Sequence, residues 1–117
     1  MIEDKAKDLG RLIGQSSEYQ ALKRTSEALN KDPDAMALLQ QMEKLRGDAQ
    51  AMIQKGEQPS EEMEKQLDDL LEQIQTRDVY QRAVASQENF DKIMMKVNQW
   101  IMDGMKKGAA SPIITLS

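Results

Sequence analysis

The densest chemistry in the chain is a run of carboxylates. Glu61, Glu62, Glu64, Asp68, Asp69 and Glu72 fall within twelve positions, with Lys65 as their only basic neighbour. Residues three and four apart share one side of a helix, so Glu64, Asp68, Asp69 and Glu72 describe an acidic face. Such a face can ligate a hard cation, dock a basic partner or simply be solvated. Di-metal helical bundles combine glutamates with a Glu-x-x-His pattern. That pattern is missing and the chain has no histidine at all, so no metal site is assigned. Glu61 and Glu62 are accounted for by the positive end of a helix. Glu64, Asp68, Asp69 and Glu72 stand as a candidate docking face, with plain solvation as the alternative.

The other reactive types are absent or scattered. With no cysteine and no histidine, the chain has no thiolate nucleophile, no disulfide and neither of the commonest transition-metal ligands. No glycine-rich phosphate loop occurs, so no catalytic residue, cofactor or metal is assigned and the protein is expected not to be an enzyme. Lys23-Arg24 and Lys106-Lys107 are local basic patches that could touch RNA. A net charge of −4 and a pI near 4.9 disfavour direct nucleic-acid binding by phosphate neutralisation. Four aromatics, Tyr19, Tyr80, Phe90 and Trp100, are too few to interleave with basic residues as a base-stacking platform.

The acidic face needs a helix to carry it, and apolar spacing supplies one. Ala35, Leu38, Met42, Leu45, Ala49 and Met52 step by three and four, and Met63, Leu67, Leu70 and Ile74 repeat the pattern after Gly56 and Pro59. Two matched seams around a short breaker predict an antiparallel helical hairpin. Leu39 and Ile53 widen the first seam, which predicts contact with a third helix. The hairpin begins at Asp32-Pro33-Asp34, where Asp32 caps, Pro33 takes the first helical position and Asp34 meets the positive helix end.

Five helices are expected, over about 2–14, 18–31, 33–55, 60–76 and 79–106, forming one all-α domain over 1–108: an antiparallel bundle built on the long hairpin. Gly10 inside the first helix suggests a close helix approach. Ser17 with Gln20 has the form of a capping box for the second, and Thr76 or Asp78 can cap the fifth. Tyr19 is read as half-buried with its hydroxyl at the rim. Glu18-Tyr19-Gln20-Ala21 and Val79-Tyr80-Gln81-Arg82 echo each other faintly, too briefly to be a repeat. Residues 109–117, with Pro112, Ile113, Ile114 and Leu116, are expected to form a flexible tail.

The fifth helix is the most apolar. Val79, Ala83, Phe90, Ile93, Met94, Val97, Trp100, Ile101 and Met105 give it a face that can clamp the other helices or a second copy. A chain of 117 residues leaves much apolar surface wet when folded alone. Phe90, Ile93, Met94, Val97, Trp100 and Ile101 are therefore the candidate dimer or partner interface, although for a lone tryptophan on an apolar helical face core packing is the favoured reading of Trp100. The nine methionines, spread over several helices, read as core filler. No run approaches the length of a membrane span and no signal peptide is visible, so a cytoplasmic location is expected.

The helix opening Ser17-Glu18-Tyr19-Gln20-Ala21-Leu22-Lys23, the joint Lys31-Asp32-Pro33-Asp34-Ala35 and the run Tyr80 to Ile101 after a polar joint resemble the YlbF/YmcA family of small bacterial helical proteins. The resemblance spans about residues 2–105. It implies an all-helical, usually dimeric, non-enzymatic regulator of competence, sporulation and biofilm formation. Such proteins act in a complex linked to RNase Y and messenger RNA processing, so the implied partners are proteins, paralogues of the same family among them. Some relatives hold iron–sulfur clusters through cysteines; this chain has none, and cluster binding is not carried over.

Overall fold

Polar side chains at three joints set the helix starts. In the computed structural model, which describes residues 1–110, α1 runs Ile2–Gly14, α2 Ser17–Asn30, α3 Pro33–Gln54, α4 Glu61–Gln75 and α5 Asp78–Ala109. Asp32 accepts the Ala35 N–H at 3.0 Å and Ser60 that of Met63 at 3.2 Å. Each such cap satisfies an orphan donor and contributes about 1 kcal/mol. At the third joint the cap is Ser16, not Ser17. Ser16 is extended and its Oγ accepts the Tyr19 N–H at 3.2 Å, whereas Ser17 is already helical.

The glutamine of the expected capping box works in a different way. Gln20 Nε2 donates to the Gly14 carbonyl at 2.8 Å, and Gln81 Nε2 donates to the Gln75 carbonyl at 2.7 Å. Both therefore reach back across a joint to close the preceding helix. The two Tyr-Gln segments share this local device. Neither Thr76 nor Asp78 caps α5. The Thr76 hydroxyl donates to the Gln73 carbonyl at 2.8 Å, closing α4, and Arg77 occupies the cap position without a side-chain bond.

The hairpin turn follows from one glycine. Gly56 has φ +83, and around it the Glu57 N–H reaches the Met52 carbonyl at 2.9 Å and the Gly56 N–H that of Ile53 at 3.0 Å. These two bonds are a Schellman motif, which needs the left-handed conformation that glycine adopts without strain. Gly108 does not take that conformation, and α5 continues to Ala109, three residues past its expected end. Ala109 therefore belongs to the helix; the expected tail from 111 to 117 lies outside the described residues.

The chain is an all-α antiparallel bundle of two helix pairs. α3 lies against α4 as the hairpin, and α2 lies along the first half of α5. Tyr19 meets Phe90 edge-on, with ring centroids 5.6 Å apart, while Leu29 and Val79 at the other ends of the same two helices share one cluster, so α2 and α5 are antiparallel. The pairs meet at a node where Ala35, Met42 and Ile74 are buried, surrounded by Leu29, Leu38, Leu39, Leu67, Leu70, Leu71, Val79 and Tyr80. Arg77 clasps this node, reaching Asp34 at 3.3 Å and Asp32 at 3.8 Å.

Away from the node the pairs diverge. The molecule measures 66 × 38 × 19 Å with a radius of gyration of 21.3 Å, against about 13 Å for a spherical domain of this length. Ile53 stands exposed near the hairpin tip, where no third helix among the described residues covers it. No carbon placed on Gly10 would meet another atom within 4 Å, so the close approach expected there is not made among the described residues. Among the described residues no helix is long and apolar enough to cross a membrane.

Candidate interaction surfaces

The carboxylates of α4 are exposed and separate into two edges. Glu64, Asp68 and Glu72, at steps of four, follow one line along the helix. Asp69 lies on the other edge, where with Lys44 and Asp48 it rims a groove of about 420 Å³ floored by Leu45 and Leu70. Toward the tip the groove is followed by a smaller one against Ala49, Met63 and Leu67. The hairpin seam is only half-buried here because two helices alone cannot enclose it. Among the described residues no three acidic side chains converge as metal ligands, and no ion pair engages any α4 carboxylate.

The six α5 residues proposed from the sequence meet different fates. Val97 is buried at 6% exposure, and Ile93, Met94 and Phe90 are half-buried, Phe90 against Tyr19. These four are engaged within the chain. Trp100 and Ile101 continue the same seam and are 63% and 45% exposed. The cause is a mismatch of length: α2 has 14 residues and α5 has 32, so about 27 Å of α5 has no α2 beside it at 1.5 Å per residue. Met95, Met102 and Met105 on this overhang are exposed as well, which corrects the reading of them as core filler.

α1 is the second uncovered element. Ile2, Ala6, Leu9 and Ile13 give it an apolar side, yet none of its residues is buried, and Ile2 and Leu12 are largely exposed. Two i,i+3 and i,i+4 ion pairs, Lys7–Glu3 at 2.8 Å and Arg11–Asp8 at 3.0 Å, support it from outside. The basic patches are not brought together. Arg24 lies in a groove beside Ser86, and Lys106 is twenty residues further along α5, about 30 Å away. No buried side-chain nitrogen or oxygen among the described residues lacks a partner.

These features define an all-helical protein whose distinctive surfaces are helix faces, apolar on one arm and acidic on the other, with shallow grooves between them. The chain belongs to the YlbF/YmcA family, described as control of competence regulator ComK, which it matches over residues 2–106. It is 27% identical over 100 residues to a UPF0342 protein of Limosilactobacillus reuteri, covering 86% of this chain and 81% of that protein. A UPF0342 protein of Streptococcus agalactiae is 27% identical over 105 residues, covering 90% and 95%. One from Limosilactobacillus fermentum is 28% identical over 100 residues, covering 86% and 83%. The family resemblance read from the Tyr19, Asp32–Pro33 and α5 segments is thus borne out, and the family description is one of regulatory control.

Proposed function

We propose that this chain is a non-enzymatic protein-interaction protein that works in the cytoplasm as a homodimer of one-domain protomers. It acts as the family description suggests, in the control of a competence regulator. The finer reading is a role in a complex linked to RNase Y and messenger RNA processing, with paralogues of the same family among the partners. Competence, sporulation and biofilm formation are the processes it would influence.

The observation that carries this reading is the bare continuation of the α5 seam. Up to Val97 the seam is covered by the chain itself; from Trp100 onward it is open. An apolar stripe of this kind on a helix is an interaction surface in proteins that have no other use for it. Trp100 and Ile101 make the contact, and Phe90, Ile93, Met94 and Val97 hold them in register. Glu64, Asp68, Asp69 and Glu72 provide a docking face for a basic partner segment.

Sedimentation equilibrium at micromolar concentration tests the first part, with a dimer mass expected. A stable, well-folded monomer would overturn it. Removing the gene from its host tests the regulatory part: altered processing of RNase Y-dependent transcripts and altered competence are expected, and unchanged transcripts would count against it.

A further inference from the structure

We propose that the α5 overhang of one copy seats on the α3–α4 hairpin of a second copy, and that the contact is made twice about a two-fold axis. This rests on the dimeric reading above and specifies which surfaces meet.

Charge selects the pairing. α4 carries six carboxylates against one lysine, a net charge of −5. From residue 92 to 110, α5 carries Lys92, Lys96, Lys106 and Lys107 against Asp103, a net charge of +3. None of these groups is engaged in an ion pair among the described residues. Hairpin on hairpin would set acid on acid, and overhang on overhang would set base on base. Crossed pairing sets opposite charges together in both halves of a symmetric dimer, the arrangement that steers association and penalises the alternatives.

Shape and area agree with charge. The overhang offers Trp100, Ile101 and Met105 on the line of the α2-covered seam. The hairpin offers Leu45, Leu67 and Leu70, half-buried along its groove. The end of the overhang from Val97 to Ala109 is about 18 Å long, and from Leu38 to Met52 the hairpin seam is about 21 Å. The chain exposes 9295 Å², about 2,800 Å² more than a compact monomer of 13.3 kDa. A standard dimer buries about 1,600 Å² in total, so the surplus on the two chains is ample for two such contacts.

A charge swap tests the pairing. One variant carries Asp48→Lys, Glu64→Lys and Asp69→Lys, the carboxylates that rim the two grooves; the other carries Lys96→Glu, Lys106→Glu and Lys107→Glu. All six positions are exposed, and circular dichroism checks that both variants stay helical. At low salt each variant alone should dimerise at least tenfold more weakly than the natural chain, and an equimolar mixture should recover most of that loss as a heterodimer. Trp100 is the only tryptophan, so its emission should shift to shorter wavelength on association and return on dilution. Variants that dimerise as tightly as the natural chain, or a mixture that recovers nothing, would overturn this pairing and leave the dimer standing. A natural chain that stays monomeric would remove both.

Discussion

Ile74 and Trp100 are large apolar residues on the inner lines of successive helices, yet Ile74 is wholly buried and Trp100 is 63% exposed. Around Ile74 the ends of α2, α3, α4 and α5 converge, so a side chain there has neighbours on every side. Around Trp100 α2 has already ended. The contrast extends to whole elements, since the node holds most of the buried residues while α1 holds none. Cohesion is therefore concentrated at the middle of the molecule. Its extremities spend apolar surface outward, as expected of a protein whose ends are used by other molecules.

The contrast is tested most strongly at the node itself. Ile74→Ala should lower the unfolding free energy by about 2–5 kcal/mol, the range for truncating a fully buried aliphatic side chain with partial collapse of the cavity. Urea titration followed by circular dichroism would show it. A loss under 1 kcal/mol would mean that the node does not hold the chain together. Midway along the α2–α5 pair, Phe90→Ala should cost less, about 2 kcal/mol, because Phe90 is half-buried and its edge-on partner Tyr19 is itself partly exposed. Hydrogen exchange should then accelerate in α2 before it does in α3.

Asp32 sharpens the comparison at the polar level. Its Oδ1 caps α3, and its Oδ2 faces Arg77 at the start of α5, so one side chain ties two joints of the node. Asp32→Ala should cost about 1 kcal/mol, chiefly the cap, with little from the 3.8 Å contact, since partly exposed ion pairs contribute little. Asp32→Asn keeps a capping acceptor and drops the charge. It should recover most of the loss, and failure to recover would assign the stabilisation to the ion pair.

How far the sequence foretells this architecture depends on whether a feature is local. Asp32-Pro33-Asp34 and Gly56 specify their helix ends from within a few residues, and the paired seams specify the hairpin. The family is legible in the same segments. Choices between adjacent candidates are not. Ser16 and Ser17 are chemically equivalent caps, and which one turns helical depends on where α1 stops. Thr76 keeps helical backbone angles as the C-cap of α4, where its hydroxyl donates to the Gln73 carbonyl, so the cap position of α5 falls to Arg77. Gly108 can end a helix only by turning left-handed, and the alanine after it favours continuing.

The exposed end of the α5 face is legible only through arithmetic on helix lengths. Phe90 and Trp100 look alike as members of one apolar face. The 14 residues of α2 against the 32 of α5 reveal that a single partner helix cannot cover both. The exposed methionines at 95, 102 and 105 follow from the same shortfall. The node was less visible than the hairpin because it is made by chain ends meeting, and periodicity describes the middles of helices.

The smallest expected effect has the opposite sign and lies at the far end of the comparison. Gly10 is in the interior of α1, is exposed and has no atom within 4 Å of where a methyl group would go. If α1 has no close neighbour in solution either, Gly10→Ala should stabilise the protein by about 0.5–1 kcal/mol through helix propensity and reduced freedom of the unfolded chain. Denaturation midpoints of the two proteins at equal concentration give the sign directly. A loss of stability would mean that another helix approaches α1 closely enough to need a glycine, and since no helix among the described residues does so, the approaching helix is expected in a second molecule.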